Sequence, residues 1–200
     1  MSLQLTLAIL KPDVTPMTFA MLNIRDRMLD GGFLIVRTKK LRLGRARAEQ
    51  FYAEHEGKVT WTLYDDCVDS VKLSPVYLQF FYNRLVGFMS SGECHAHVLA
   101  KENAIADWRA ILGPTKVFKT RFEQPLTVRG KFGLTDTRNV AHGSDSDESA
   151  AREISFFFPE FSVADFFARE ETAFRIGSGV VFDPEAFVHK LAPPKLETSP

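Results

Sequence analysis

The stretch Asn139-Val140-Ala141-His142-Gly143-Ser144-Asp145-Ser146 is a polar loop that ends where a helical pattern begins. It places a histidine beside Gly143, which lets other backbone approach closely. The next two residues, Ser144 and Asp145, carry groups that can hydrogen-bond an imidazole. Because a lone histidine in a loop is more often structural than catalytic, the segments on either side of this loop decide how it is interpreted.

Those segments alternate between strand-like and helix-like hydrophobic patterns. The alternation of Leu3, Leu5, Leu7 and Ile9 predicts a first strand that ends at Leu10, ahead of a proline. The patterns also predict strands at residues 33–42, 94–100 and 179–182, and helices at residues 16–30, 44–56, 80–88, 103–112 and 147–158. Asn103 is expected to cap its helix. Residues 115–127 show no periodicity and are predicted to be a long structureless loop.

This order of strands and helices predicts an α+β fold. The expected architecture is a ferredoxin-like α/β sandwich, in which helices cover a mainly antiparallel sheet. A length of 200 residues fits one domain with an appendage. We predict a domain over residues 1–170, with a segment inserted at residues 59–79, and a C-terminal extension over residues 171–200.

The composition excludes several classes of protein. Lys and Arg together number 25 and Asp and Glu number 25, so no global field recruits nucleic acid or an anionic membrane. The apolar start is only about ten residues long and lacks a basic region before it, which argues against a secretory signal or a membrane span. Two cysteines, Cys67 and Cys94, are too few for a disulfide framework or a four-thiolate zinc site, and indicate a reducing compartment or buried thiols.

Basic side chains near the ends of predicted elements are candidates for binding phosphate. Arginine offers fixed, forked donors whose charge does not depend on pH. If Lys11, Arg109 and Arg129 converge, they form a phosphate cradle, and the alternative is that each is a solvated surface charge. The chain has neither GxxxxGK[ST] nor GxGxxG, so any phosphates would be held by side chains.

Taken together, these features resemble the nucleoside diphosphate kinase family. The octapeptide at 139–146 matches the signature of the family. Further matches occur in the family's order over residues 4–165: Leu10-Lys11-Pro12-Asp13, Tyr52, Arg109 with Gly113 and Thr115, Thr127-Val128-Arg129-Gly130, and Glu153. Within the family the chain is most similar to the divergent sixth-type, group II members, through residues 134–139, residues 80–82 and the C-terminal extension.

The resemblance implies that the γ-phosphate of a nucleoside triphosphate, ATP, passes to a nucleoside diphosphate through a phosphohistidine on His142. The implied catalytic residues are His142, Glu153, Tyr52 and Lys11. The implied nucleotide-binding residues are Lys11, Phe81, Arg109, Thr115, Arg129 and Asn139, with Phe81 stacked on the base. The implied cofactor is Mg²⁺, held mainly by phosphates and water with no protein side chain as ligand.

Glu153 would orient the ring of His142, and this sets a geometric condition. Eleven residues along one helix span about 16 Å, which is too far for contact. His142 must therefore lie before the helix, on a chain that doubles back towards Glu153.

The chain also departs from the family's pattern. The insert at residues 59–79 lies between Tyr52 and Phe81, and Asp136 stands where an apolar residue usually closes the other face of the base. The Tyr-Glu ending of the short hexameric members is absent, so the sequence leaves the oligomeric state open.

These departures motivate a second hypothesis, in which a weakly active or inactive chain serves as a partner-binding or regulatory subunit. A homo-oligomer or a protein partner would then use the insert or the C-terminal extension. Trp61, Tyr64 and Tyr77 of the insert would form either a partner patch or a small cluster folded onto the domain, and we favour the cluster. The resemblance leaves both a cytoplasmic and a mitochondrial location open.

Overall fold

A computed structural model describes residues 2–53 and 75–192 of the chain. Its strands are β1 (Gln4–Leu10), β2 (Leu34–Arg42), β3 (Glu93–Lys101), β4 (Ala141–Gly143), β5 (Val180–Asp183) and β6 (Val188–Leu191). Its helices are α1 (Thr18–Asp30), α2 (Arg45–Tyr52), α3 (Pro75–Met89), α4 (Ala104–Leu112), α5 (Val117–Glu123), α6 (Val128–Phe132), α7 (Asp147–Phe157), α8 (Val163–Asp165) and α9 (Glu171–Ile176), with a π-helical turn at Phe166–Glu170 between α8 and α9.

The first four strands form one sheet in the order β2-β3-β1-β4, and each neighbouring pair is antiparallel. Strand β1 is central, so that Ile9 lies opposite Ala96 of β3 on one side and opposite His142 of β4 on the other. The topology confirms the predicted ferredoxin-like α+β fold. It also places the octapeptide histidine on an edge strand of the sheet.

Helices cover both faces of this sheet. Because successive side chains of a strand point to opposite faces, Leu7 and Ile9 pack into a core shared with α7, while Ala8 and Leu10 pack into a second core. The second core contains Trp108 of α4, which is fully buried. Across the two described ranges, no helix is long and apolar enough to cross a membrane.

The prediction of a structureless loop at residues 115–127 is wrong, because α5 occupies much of it. The helix starts with help from a distant residue, since the backbone N–H of Val117 donates to Oδ1 of Asp136 at 2.9 Å. A side chain 19 positions away supplies the cap, so no local pattern reveals the start of this helix.

Asn103 lies at the predicted N-terminus of α4, but its side chain makes no capping hydrogen bond. Its φ of 55° is left-handed rather than the extended conformation that a capping side chain requires. Oε1 of Gln4 instead accepts a hydrogen bond from the N–H of Ile105 at 3.0 Å. The expectation that Asn103 caps this helix is therefore wrong.

Helix α3 begins at Pro75, earlier than the predicted start at residue 80, and proline is favoured at the first position of a helix. The extent of the insert stays a prediction. Residues 54–74 lie outside the described part of the chain. This range contains Trp61, Tyr64, Cys67 and the predicted end of α2 at residue 56, and the side chain of Tyr77 also lies outside the described part. Strand β4 was not predicted. Its three residues are too few to show an alternating pattern.

The C-terminal segment packs back onto the domain. Strands β5 and β6 form an antiparallel hairpin, of which only the first strand was predicted. Nδ1 of His189 accepts from the N–H of Ile35 in β2 at 2.9 Å, and the carbonyl of Phe187 accepts from Oγ1 of Thr38 at 2.7 Å. The N–H of Leu3 donates to Oε1 of Glu171 at 3.0 Å. The division into a domain over residues 1–170 and an extension over residues 171–200 stays a prediction.

Candidate active site

A cleft of about 250 Å³ lies at the end of the sheet where β1 and β4 meet. Every residue that the sequence singled out for catalysis or nucleotide binding lines it: Lys11, Tyr52, Phe81, Arg109, Thr115, Arg129, Asn139, His142 and Glu153. They come from β4, from five helices and from connecting segments, one of which directly follows β1. The fold therefore gathers residues that span most of the described chain.

His142 and Glu153 are in direct contact. Nε2 of His142 lies 2.9 Å from Oε2 of Glu153, and the same oxygen accepts a hydrogen bond from Oγ of Ser144 at 2.6 Å. Ser144 itself accepts from the N–H of Leu7 at 3.1 Å. The chain doubles back between β4 and α7, as the geometric condition requires.

Glu153 carries a well-fixed negative charge despite its burial. Burial alone would raise the pKa of this carboxyl, but the nearby His142 and the hydrogen bonds from His142 and Ser144 hold the pKa below its usual range. An ionised Glu153 favours a proton on Nε2 of His142. In the neutral ring, that leaves Nδ1 with a free lone pair.

Three close contacts fix the position of β4. Nε1 of Trp108 donates to the carbonyl of His142 at 3.1 Å. A Cβ atom at Gly143 would lie 2.6 Å from the Trp108 ring, so only glycine fits at this position. The ring of Phe51 meets the His142 imidazole edge to face, with the centroids 5.5 Å apart.

Arg129 is a buried link between segments as well as a cation. Its guanidinium donates to the carbonyls of Gly113 at 2.6 Å, Ala141 at 2.8 Å and Asn139 at 3.3 Å. Burial, with a smaller contribution from the charge of Arg109, lowers the pKa of Arg129 to about 10, so the group remains charged near neutral pH. Since a guanidinium has five N–H donors, two remain for a ligand.

Lys11 is a buried residue of the cleft lining, and its Nζ donates to Oδ1 of Asn139 at 2.6 Å. Burial and the charge of Arg129 lower the pKa of Lys11 to about 7, against the opposing effect of Asp13. The ammonium therefore titrates near physiological pH, unlike a solvated lysine.

Tyr52 and Phe81 form the side of the cleft towards α2 and α3. Burial, Cys94 and Glu153 raise the pKa of Tyr52, so its hydroxyl keeps its proton. Phe81 is half-buried and packs against the core while it lines the cleft. Asp136 also lines the cleft, and its carboxylate holds the start of α5.

Sequence reasoning missed several lining residues on and beside α7. Ser149 and Arg152 line the cleft together with Glu153, and their i, i+3, i+4 spacing was the available signal. Asp145 also lines the cleft, and its hydrogen bond with Ser149 is the main cause of its lowered pKa.

The residues of the cleft fit a metal ion held mainly by a ligand. Within residues 2–53 and 75–192 there is no group of three His, Cys, Asp or Glu side chains that could hold a metal. The cleft carboxylates of Asp136 and Glu153 already accept hydrogen bonds. Mg²⁺ commonly keeps several waters and binds through substrate phosphates with few protein ligands, which is compatible with this set.

Comparison with known proteins gives a consistent result. Residues 4–163 match the sequence model of the family described as nucleoside diphosphate kinase. The chain is 47% identical over 188 residues to nucleoside diphosphate kinase 6 of Danio rerio, with 94% of each chain covered. It is 42% identical over 191 residues to the human protein of the same name, covering 96% of this chain and 91% of the relative.

A solved structure is similar as well. The nucleoside diphosphate kinase of Aquifex aeolicus superposes with a TM-score of 0.65 at 34% identity, covering 82% of this chain and 98% of that chain.

Proposed function

The chain belongs to the nucleoside diphosphate kinase family, and we propose that it moves the γ-phosphate of a nucleoside triphosphate to a nucleoside diphosphate through a phosphohistidine on His142. The observation that carries the proposal is the contact of His142 Nε2 with Glu153 at 2.9 Å, in a cleft that Lys11, Arg109 and Arg129 also line. A nucleophile, the group that orients it and three cations for phosphate lie together.

In the first half-reaction, Nδ1 of His142 attacks the γ-phosphorus. The N–P bond forms as the bond between the γ-phosphorus and its bridging oxygen breaks, and the electron pair leaves with the nucleoside diphosphate. Glu153 holds the Nε2 proton throughout, which stabilises the positive charge that develops on the ring.

In the second half-reaction, a terminal phosphate oxygen of the acceptor diphosphate attacks the phosphohistidine. The N–P bond breaks and its electron pair returns to Nδ1, so the ring regains its starting state. Atoms and charge balance over the two steps, and no other reactant is required.

The cations supply the electrostatic part of catalysis. Phosphoryl transfer passes through a loose transition state, so positioning and charge stabilisation supply most of the rate enhancement. The two remaining donors of Arg129, together with Arg109 and Lys11, would bind phosphate oxygens. Mg²⁺ bound with the nucleotide would neutralise further phosphate charge.

Phe81 would contact the base by its ring face. Stacking does not read the hydrogen-bonding edge of a base, so we expect the enzyme to accept purine and pyrimidine nucleotides alike. Thr115 and Asn139 would add hydrogen bonds to the phosphates and the ribose.

Initial-rate kinetics test this proposal against the regulatory-subunit hypothesis. When ATP is varied at several fixed concentrations of GDP, the double-reciprocal plots should be parallel, because the first product leaves before the acceptor binds. Intersecting lines would contradict the phosphohistidine route. A purified chain that folds and binds nucleotide but does not turn over would favour the partner-binding subunit instead.

A further inference from the structure

Val140, two residues before His142, has a backbone conformation that its side chain disfavours. Its φ is 74°, and a β-branched residue with positive φ is a genuine outlier. The N–H of Ala141 donates to the carbonyl of Asn139 at 2.8 Å, which closes a three-residue γ-turn around Val140. A γ-turn with positive φ at its centre is rare and strained.

Strain of this kind persists only where the surroundings impose it, and two contacts from one segment do so. The N–H of Val140 donates to Oδ2 of Asp13 at 3.0 Å. The carbonyl of Val140 accepts from the N–H of Lys11 at 2.8 Å. The segment that follows β1 therefore holds Val140 through both its N–H and its carbonyl.

The first of these contacts comes from an unusual carboxyl group. Within the described part of the chain, Oδ1 of Asp13 is buried without a hydrogen-bond partner. Burial raises the pKa of Asp13, while its bond to Val140 and the charge of Lys11 oppose that rise. Keeping a carboxyl in such a place costs stability, which suggests that its contact with Val140 has a role.

We propose that Asp13 is a positioning residue that holds the strained turn at Val140 and thereby aims His142 into the cleft. This inference rests on the proposed function for its effect on turnover. The backbone from Asn139 to His142 is short, so a turn that relaxed at Val140 would rotate the peptide units leading to the histidine. Small errors in the position of a reacting group reduce rates strongly.

A double substitution separates this role from a charge effect on Lys11. Asp13→Ala should lower kcat by roughly 10- to 100-fold, with a smaller change in the KM for nucleotide. Val140→Gly removes the steric penalty of positive φ. In that background Asp13→Ala should therefore cost much less, bringing kcat to within about threefold of Val140→Gly alone. Asp13→Asn should retain much of the rate, because its amide oxygen can still accept from Val140.

The matched control is Asp26→Ala, which removes an exposed carboxylate from α1 and should leave kcat unchanged. Losses of kcat from Asp13→Ala that are equal in the two backgrounds would overturn the proposal, and so would a wild-type rate for Asp13→Ala.

Urea unfolding gives a readout that needs no turnover. Because strain is released on relaxation only where Val140 is present, Asp13→Ala should lower the midpoint more in the Val140→Gly background than in the wild-type chain. If the chain proves inactive, this coupling still tests the link between Asp13 and the turn. Equal shifts of the midpoint in both backgrounds would refute that link, whatever the catalytic result.

Discussion

Oε2 of Glu153 lies 2.9 Å from Nε2 of His142, and the same oxygen accepts a hydrogen bond from the Ser144 hydroxyl at 2.6 Å. One carboxylate oxygen therefore joins the candidate nucleophile on β4 to a serine that is itself bonded to the backbone of β1. Because these bonds fix Glu153, the histidine ring is held before any nucleotide arrives. Such preorganisation is how a rigid site contributes to rate.

Glu153→Gln should lower kcat by roughly 10²-fold. The amide can still accept one hydrogen bond, but it removes the negative charge that stabilises the developing imidazolium. Steady-state kinetics should show the loss mainly in kcat rather than in KM. Glu148→Gln is the matched control, since Glu148 is an exposed residue in the first turn of the same helix. Similar rates for the two variants would contradict the role of Glu153.

Arg129→Ala should destabilise the fold as well as abolish activity. The change leaves the carbonyls of Gly113, Asn139 and Ala141 without their donor, and we expect a loss of about 3 kcal/mol in the free energy of unfolding. Chemical denaturation measures this loss. Lys131→Ala removes an exposed cation from the same short helix and should cost little. If both variants are equally stable, Arg129 is not the buried link described above.

Nucleotide affinity should depend on the protonation of Lys11. Since its pKa is lowered to about 7, the ammonium is charged below that pH and becomes neutral above it. Calorimetry should find that binding of a nucleoside diphosphate weakens as pH rises from 6 to 8.5, by up to about tenfold per pH unit. Lys11→Arg should flatten this dependence because guanidinium stays charged. An identical slope in Lys11→Arg would assign the dependence to another group.

His97 should make the fold sensitive to acid. Its Nδ1 lies 2.8 Å from Oγ1 of Thr38, whose own proton goes to the carbonyl of Phe187 in the hairpin. Burial, Arg25 and His95 lower the pKa of His97 from 6.5 to about 3.

Between these two pH values the unfolded chain binds a proton that the folded chain does not. The contribution of neutral His97 to the free energy of unfolding is therefore complete above pH 6.5. As pH falls towards 3, this free energy decreases by on the order of 1 kcal/mol per pH unit. Urea titrations at several pH values should show a flatter dependence for His97→Asn, whose amide can still donate to Thr38. Parallel curves for the two proteins would rule out His97 as the source.

The sequence was sufficient to predict the elements and residues whose signals are local or form a dense motif. Hydrophobic periodicity placed β1 and α7. The family resemblance carried by the octapeptide and Glu153 implied a contact that requires the chain to double back, and His142 and Glu153 are in contact. What it could not predict depends on partners far away in the chain. The start of α5 is capped by Asp136, and the first turn of α4 is bonded by Gln4 rather than Asn103.

The same distinction applies within the site. Arg129 was predicted as a phosphate ligand, whereas its bonds to three carbonyls of distant segments became visible only in the fold. The edge-to-face contact between Phe51 and His142 likewise has no counterpart in local sequence. Tertiary contacts of this kind set the geometry of a site without leaving a periodic signal.

The most direct test of the central claim is to incubate the purified protein with γ-labelled ATP and Mg²⁺ and to locate the label. The account predicts one phosphate per active chain, labile in acid and stable in base, that is absent from His142→Ala and released on addition of a nucleoside diphosphate. Label that persists in His142→Ala, or none on a wild-type chain that binds nucleotide, would contradict it.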